Sequence, residues 1–193
     1  MMDTRKILFQ YRSFTPIPIA LMIIYFAGAN SSHRVLGMFL LLLGESIRIW
    51  AVSYAGGATR TRDVGAPKLC TSGPYAQTRN PLYVGNMLMY VGIVLIAGMP
   101  HQLFAATGVA AFFIVQYSLI VSLEEETLDK LFGKEYYEYK QNVPPIFPRL
   151  MPWREGKDRK PATLLQTLKT EKRTLQNVFL IVLFIFIRIN NLA

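Results

Sequence analysis

The stretch Leu103 to Leu123, "LFAATGVAAFFIVQYSLIVSL", decides the fold of this 193-residue chain. Its 21 residues carry no charge. A helix of that length is long enough to cross the ~30 Å hydrocarbon core of a bilayer at ~1.5 Å per residue. We therefore predict a transmembrane helix here. The composition agrees, because hydrophobic residues make up 52% of the chain and charged residues only 17%.

Two long apolar runs upstream predict further spans. Leu82 to Met99 is almost as apolar, and the link "PHQ" that follows it is so short that the two helices must form an antiparallel hairpin. Val35 to Gly56 is also a predicted span, although it contains Glu45 and Arg48. These two charged residues are three positions apart, so they share one face of a helix.

Two shorter runs complete the membrane part. Phe14 to Ala29 predicts one more span, whereas Val178 to Ile187 is wholly apolar but brief. A fifth span, a re-entrant segment and an interfacial helix all remain open for it, with the fifth span favoured. We expect an all-α, polytopic bundle of four to five spans, with residues 1–150 as the core and residues 151–193 as a basic linker plus a C-terminal apolar helix.

The basic residues predict which ends of the helices face the cytoplasm. Short loops rich in Lys and Arg remain on the inside. Such residues concentrate between the second and third spans and after the fourth, at Arg60, Arg62, Lys68, Arg79, Lys130, Lys134, Lys140, Arg149 and Arg154. We therefore expect the N-terminus and any active site to be cytoplasmic. This topology, with attraction to anionic lipid headgroups, accounts for the net charge of +9, so no nucleic-acid partner is predicted.

The scarcity of cysteine and histidine argues against a metal centre. Cys70 is the only cysteine, and we predict it to be a small buried filler rather than a nucleophile. The two histidines, His33 and His101, lie on the predicted outer side. Chemistry is therefore left to the two polar segments on the cytoplasmic side.

The first polar segment ends in a predicted helix start at "RNP". Asn80 suits the N-cap and Pro81 the first helical position. The positive charge of Arg79 is unfavourable beside the positive end of the helix macrodipole. We therefore expect an anion near Arg79, either a carboxylate or a phosphate, and a lipid headgroup is the alternative that needs no binding site. Tyr83 follows Arg79 by four residues and shares its face if the first turn is helical.

Two glycines mark the same predicted helix further along. Gly85 and Gly92 are seven residues apart, so they lie in one narrow strip of the helix surface. A strip without side chains allows close approach of another helix or of a ligand.

The second polar segment opens with three glutamates. A helix continuing beyond Leu123 places Glu124 on the apolar face, Glu126 on the wetter side and Glu125 between them. A carboxylate on the apolar face needs a partner, either Arg79 or the ammonium group of a ligand. We expect Arg79 and Glu124 or Glu125 to converge, where they either form a salt bridge or bind the two ends of a zwitterion such as an amino-acid moiety.

Three motifs in this order resemble a known family. They are "RIWAVSYAGG" (48–57), "KLCTSGPYAQTRNPLYVGN" (68–86) and "EEETLDKLFGKEYYEYKQNVPPIFP" (124–148). Together they are similar to the integral-membrane methyltransferases of the isoprenylcysteine carboxyl methyltransferase and phospholipid N-methyltransferase superfamily. The family pattern has a Gly-Pro-Tyr turn, an Arg-His-Pro-x-Tyr helix start, a Glu-Glu pair and then Phe-Gly-x-x-Tyr-x-x-Tyr.

The resemblance implies a cofactor and residue roles. The family binds S-adenosylmethionine, and the implied site is a cytosol-facing pocket between the loop before the third span and the helix after the fourth. The implied cofactor-binding residues are Leu69, Gly73, Tyr75, Arg79, Asn80, Pro81, Glu124 and Glu125, and the implied catalytic residues are Arg79, Asn80, Tyr83 and Glu125. The implied partners are membrane lipids and a lipophilic or lipidated substrate.

One departure leaves the acceptor open. Asn80 stands where the family pattern has histidine, and an amide cannot titrate. Isoprenylcysteine-type carboxyl methylation is the favoured activity, with phospholipid amine N-methylation as the alternative. An NADPH-dependent sterol-type membrane reductase shares the Gly-Pro-Tyr and Arg-x-Pro-x-Tyr features, but it lacks the acidic triplet, which suits a sulfonium and ammonium ligand better than a dinucleotide.

Overall fold

The computed structural model describes residues 3–57 and 64–191, which form α-helices and connecting turns with no strand among them. A short 3-10 helix, Gly73–Ala76, precedes the fourth α-helix. The α-helices are α1 (Thr4–Tyr11), α2 (Pro16–Tyr25), α3 (Arg34–Ala55), α4 (Pro81–Ala97), α5 (Gln102–Phe132), α6 (Lys134–Asn142) and α7 (Leu164–Asn190). Arg60 and Arg62, used above to orient the chain, lie outside the described residues.

Three of the described helices, α3, α5 and α7, are long and apolar enough to cross a membrane. Helices α1 and α2 are each too short to cross alone. They form a fourth candidate only when taken together as one span with a bend of 57° between them. Helix α4 is apolar but has only 17 residues. It lies along α3 for most of its length, so it crosses the same layer. The predicted helical membrane bundle is confirmed.

The structure corrects the bounds of two predicted spans. Only part of the predicted span Phe14–Ala29 is helical, because α2 begins at Pro16 and ends at Tyr25. Ten residues rise only about 15 Å, so α2 needs α1 to complete a crossing. The apolar run Val178–Ile187, by contrast, lies in the C-terminal half of the 27-residue helix α7.

A glycine seam joins α3 and α4. A Cβ atom built on Gly37 would lie 2.6 Å from the carbonyl oxygen of Gly92, and one built on Gly44 would lie 2.6 Å from that of Gly85. On each helix the two glycines are seven residues apart, and the first glycine of α3 faces the second glycine of α4. The two helices are therefore antiparallel and touch backbone to backbone, so the predicted strip of α4 serves another helix.

The connections sort to the two ends of the bundle. At one end, the far end, the Gly28 N–H donates to the carbonyl of Ala97 at 2.9 Å, which joins the α2–α3 link to the end of α4. At the other, the polar end, Arg5 of α1 pairs with Glu126 at 2.5 Å. The Ala162 N–H, just before α7, donates there to the carbonyl of Ser53 at 2.7 Å. The polar end thus collects α1, the 64–80 segment, α6 and the start of α7.

Filling the glycine seam should loosen the bundle. We predict that Gly44→Val lowers the free energy of unfolding by about 1–3 kcal/mol, since its side chain would meet the backbone of α4. Thermal unfolding of the purified protein in detergent measures this. Gly108→Val on α5 is the matched control, because a Cβ there meets nothing within 4 Å. Equal loss in both variants would contradict the seam.

Candidate active site

A cavity of about 510 Å³ opens at the polar end of the bundle. Its lining comes from the α1–α2 region, α3, the 64–80 segment, α4, α5, α6 and α7. Eight of the nine residues singled out in the sequence line it, namely Leu69, Tyr75, Arg79, Asn80, Pro81, Tyr83, Glu124 and Glu125. The two polar segments therefore meet at one site, as the sequence suggests.

Gly73 is the predicted site residue that does not line this cavity. It has a positive φ of 59°, which favours glycine, and it begins the 3-10 helix of the Gly-Pro-Tyr turn. A Cβ on Gly73 would lie 2.5 Å from a ring carbon of Tyr54. Its place in the structure is to let the turn pack against α3, one layer away from the cavity.

Arg79 is clamped by protein partners. Its Nε and Nη2 donate to Glu125 Oε1 at 3.1 and 2.6 Å. Its Nη1 donates to the carbonyls of Lys140, at 3.0 Å, and of Val143. The Arg79 side chain is only 8% exposed. Of the alternatives left open by the sequence, the salt bridge with Glu125 is the one formed, and Lys140 Nζ adds a second cation 3.1 Å from Glu125 Oε2.

The chain after α6 folds back onto the start of α4. The Arg79 N–H donates to the carbonyl of Pro144 at 2.9 Å, and Asn80 Nδ2 donates to that of Pro145 at 3.0 Å. Asn80 occupies the N-cap position, but its side chain makes no capping hydrogen bond. The Tyr83 N–H instead bonds the backbone carbonyl of Asn80 at 3.1 Å. The expected capping role of the Asn80 amide is therefore wrong, because that amide holds the returning chain.

The three consecutive glutamates take different partners. Glu125 pairs with Arg79, whereas both carboxylate oxygens of Glu124 accept from the Tyr83 hydroxyl at 3.1 Å. Glu126 is exposed and pairs with Arg5, as expected for a residue on the wetter side. Glu124 thus differs from Glu125 and Glu126 in bonding a neutral hydroxyl, and it lines the cavity.

A polar chain inside the bundle extends the site, and sequence reasoning missed most of it. Tyr83 stacks on Tyr117 at 4.3 Å between ring centroids, and the Tyr117 hydroxyl accepts from Asn86 Nδ2 at 3.0 Å. Asn86 Oδ1 accepts from Arg48 Nη1 at 2.6 Å. Arg48 Nη2 donates to the two oxygens of the fully buried Glu171, at 3.0 and 2.8 Å.

The signals for this chain in the sequence are uneven. Arg48 and Asn86 lie within apolar runs, where a polar residue usually has a task. Tyr117 lies in an uncharged run where its sequence position is that of an ordinary residue of a membrane helix. Glu171 lies among the basic residues of the C-terminal extension, and nothing in that pattern predicts that it is buried against α3.

Three titratable groups at the polar end, Lys140, Tyr139 and Cys70, have pKa values shifted toward their protonated forms. The hydrogen bond to Glu125 raises the pKa of Lys140, so its ammonium group stays charged. Burial raises the pKa of Tyr139, whose hydroxyl donates to the carbonyl of Tyr75 at 2.7 Å. Burial also raises the pKa of Cys70, which disfavours the nucleophilic thiolate. Cys70 is only partly buried and lines the cavity, so it is not the fully buried filler that we expected.

Comparison with known proteins places the chain among methyltransferases. Residues 32–135 match the family model described as phospholipid methyltransferase. Nickel-cobalt-cadmium resistance protein NccN of Alcaligenes xylosoxydans xylosoxydans is 32% identical over 121 residues, which are 63% of this chain and 52% of the relative. No solved structure matches the chain.

Two further relatives carry enzyme names. Protein-S-isoprenylcysteine O-methyltransferase B of Arabidopsis thaliana is 30% identical over 132 residues, 65% of this chain and 66% of the relative. Methanethiol S-methyltransferase 1 of Bradyrhizobium diazoefficiens is 35% identical over 96 residues, 49% of this chain and 30% of the relative. The chain thus spans about half the length of the metal-resistance relative and less than two thirds of the other two.

Breaking the Arg79 clamp should destabilise the polar end. We predict that Arg79→Gln lowers the free energy of unfolding by about 3 kcal/mol, near the low end for a broken buried ion pair, because Lys140 still faces Glu125. Lys134→Gln is the control, since the exposed Lys134–Glu138 pair at 3.9 Å contributes little. Thermal or denaturant unfolding in detergent measures both, and equal stability of the two variants would contradict a structural clamp.

Proposed function

Because the chain belongs to the phospholipid methyltransferase family, we propose that it transfers a methyl group from S-adenosylmethionine to a lipophilic acceptor that partitions into the membrane. One observation carries the proposal: a single cavity connects the polar site around Glu124 to apolar side chains of the helices, including Met89 and Ile93 of α4 and Ile181 of α7. A water-soluble donor and a lipid-soluble acceptor can meet in such a cavity. The names of the O- and S-methyltransferase relatives support the same reaction class.

The residues at the polar end fit S-adenosylmethionine. The donor carries an ammonium and a sulfonium group, and Glu124 offers a carboxylate on the cavity wall that accepts hydrogen bonds from the neutral Tyr83 hydroxyl. Leu69 and Tyr75 supply apolar and aromatic surface for a nucleoside. The cavity, at about 510 Å³, lies within the range of about 300–1,000 Å³ typical of small-molecule sites.

The chain itself contributes position more than proton transfer. S-adenosylmethionine, when bound, supplies a methyl group activated by the sulfonium charge. The Arg79–Glu125 clamp fixes the wall of the cavity, so these two act as positioning residues, while Glu124, Tyr83 and Asn80 hold polar groups near the reacting centre. Fixing both reactants and excluding water is the main help that a methyl displacement needs.

The charges of the lining favour an anionic acceptor. In two ion pairs, Arg79–Glu125 and Arg48–Glu171, the positive charge of the arginine is balanced by the carboxylate of its partner. Beyond them, the described lining residues comprise four basic side chains and one acidic one, namely Arg12, Lys68, Arg159, Arg173 and Glu124. The excess of basic side chains attracts a carboxylate acceptor, while Glu124 is the acidic group that meets the ammonium group of the donor. Carboxyl methylation of an isoprenylcysteine-type compound is therefore our first assignment, and methylation of a phospholipid amine the alternative.

The alternative would need additional chemistry. An ammonium group must lose its proton before it attacks, and the nearest acceptors in the cavity are Glu124 and Tyr83. A carboxylate attacks without that step. Asn80, which does not titrate, is compatible with an acceptor that needs no general base at this position.

The proposed membrane orientation follows from the same site. We place the polar end, with α1, in the cytoplasm, where the donor is available. Basic residues of the two connecting segments lie at this end, including Lys68, Arg79 and Lys140, in accord with the positive-inside rule.

Metal handling is not the function we assign, despite the metal-resistance names among the relatives. Across residues 3–57 and 64–191, no group of three or more His, Cys, Asp or Glu side chains is arranged to hold a metal ion. The geometry around Glu124 is instead that of one carboxylate facing a cavity with aromatic walls.

Calorimetric binding of S-adenosylhomocysteine in detergent tests the donor site. We predict saturable binding that Glu124→Gln weakens by about 10- to 100-fold, the effect of one lost charge-assisted hydrogen bond of about 1.5–3 kcal/mol. Glu126→Gln should bind like the parent protein, because Glu126 is exposed and pairs with Arg5 outside the cavity.

Two outcomes would contradict the assignment. Saturable binding of NADPH in place of S-adenosylhomocysteine would move the chain to the membrane reductases. Equal affinity in the Glu124 and Glu126 variants would show that the carboxylate facing the cavity does not hold the donor.

A further inference from the structure

The loop of residues 143–154 exposes a group of apolar side chains outside any membrane helix. Phe147 is 84% exposed, Leu150 97% and Met151 78%. Soluble surfaces rarely expose three large apolar side chains within five residues, so such a group usually marks an interaction surface. We infer that this loop, "VPPIFPRLMPWR", lies in the headgroup layer of an anionic bilayer, as a membrane contact separate from the helices.

Backbone hydrogen bonds hold the loop at the level where α4 enters the bundle. The Arg149 N–H donates to the carbonyl of Gln77 at 3.0 Å, and the Trp153 N–H donates to that of Ala76 at 2.9 Å. Both acceptors lie within five residues of Pro81, the first residue of α4. The loop is therefore held at the level of the start of α4.

A second cavity sets the depth of the loop more closely. Trp153 and Pro152 line a space of about 460 Å³ together with Trp50 of α3. Trp50 lies five residues before the end of α3 at Ala55, or about 7.5 Å inside that helix end. Tryptophan is characteristic of the membrane–water interface, and Trp50 is 44% exposed there. Trp153 instead packs inward, with its ring centroid 5.7 Å from that of Tyr139, and so fixes the loop beside the end of α3.

The backbone of the loop suits a poorly hydrated layer. Pro144, Pro145, Pro148 and Pro152 have no N–H group to satisfy. Pairing of the Arg149 and Trp153 N–H groups with the 76–77 backbone satisfies two more donors. Each proline and each paired N–H group lowers the cost of moving this loop out of bulk water.

The charge of the loop selects the kind of lipid. Residues 147–160 contain five basic side chains and two acidic ones. Arg154 is exposed directly after the apolar group, and Lys160 follows it along the exposed chain, whereas Lys157 pairs with Glu135 at 2.7 Å. Long basic side chains beside buried apolar ones reach the phosphate level, and each adds to attraction by anionic lipid. Charge complementarity thus favours an anionic surface.

Fluorescence quenching by spin-labelled lipid tests the inference without any assay of activity. Cys70 is the only cysteine, so Leu150→Cys in a Cys70→Ser background carries one environment-sensitive fluorophore. The protein is placed in nanodiscs of phosphatidylcholine, or of an equal mixture with phosphatidylglycerol, each containing lipid with a nitroxide near the headgroup. Tyr137→Cys on α6 is the matched control, because Tyr137 is 59% exposed and lies at the same end of the bundle.

We expect the fluorophore at position 150 to be quenched about twofold or more above the one at position 137, with quenching that increases when phosphatidylglycerol is present. Met151→Cys replaces Leu150→Cys if the latter fails to fold. Quenching at position 150 no greater than at position 137 would overturn the interfacial placement. Strong quenching that is identical in the two lipid mixtures would overturn the selection of anionic lipid.

Discussion

The buried ion pair of Arg79 and Glu125 is the constraint on which the polar end depends. The guanidinium of Arg79 joins three parts of the chain, since it lies before α4, bonds the carboxylate on α5 and donates to carbonyls at the end of α6. A guanidinium removed from water is costly unless its donors are satisfied, and this geometry satisfies them. The clamp also leaves Glu124, the neighbouring carboxylate, turned toward the cavity. One arginine therefore organises the wall of the site and itself lines the cavity.

The membrane part and the site are linked through the glycine seam. Because α3 and α4 touch backbone to backbone, the Arg48 side chain passes over Gly85, where a Cβ would lie 2.6 Å from Arg48 Cγ. Arg48 then reaches both Asn86 on α4 and Glu171 on α7. Helix α7 lies outside the region that matches the family model, yet it supplies the partner of this arginine and part of the cavity wall. The C-terminal extension therefore belongs to the architecture of the site.

Local patterns in the sequence predicted what is local in the structure. The uncharged run of α5, the helix start at Pro81 and the different environments of Glu124 and Glu126 follow from composition and helical periodicity, and all three are present. The partner of Arg48 was not foreseen, because Glu171 is 123 residues away and the basic run around it resembles an exposed face. The Asn80 amide was expected to cap α4, but the returning chain competes for it. Long-range contacts of this kind have no signature in a single stretch of sequence.

We propose that the protein transfers a methyl group directly, within one cavity, from a soluble donor to a carboxylate in the membrane. The most direct test supplies the protein in nanodiscs with S-adenosylmethionine labelled in its methyl group and with S-farnesylated N-acetylcysteine. The product is then treated with mild alkali, which hydrolyses methyl esters and leaves methylamines intact. We expect label to be transferred to the farnesylated substrate, and alkali to release that label as methanol. The absence of transferred label, or alkali-stable label on the amines of the surrounding phospholipids, would contradict it.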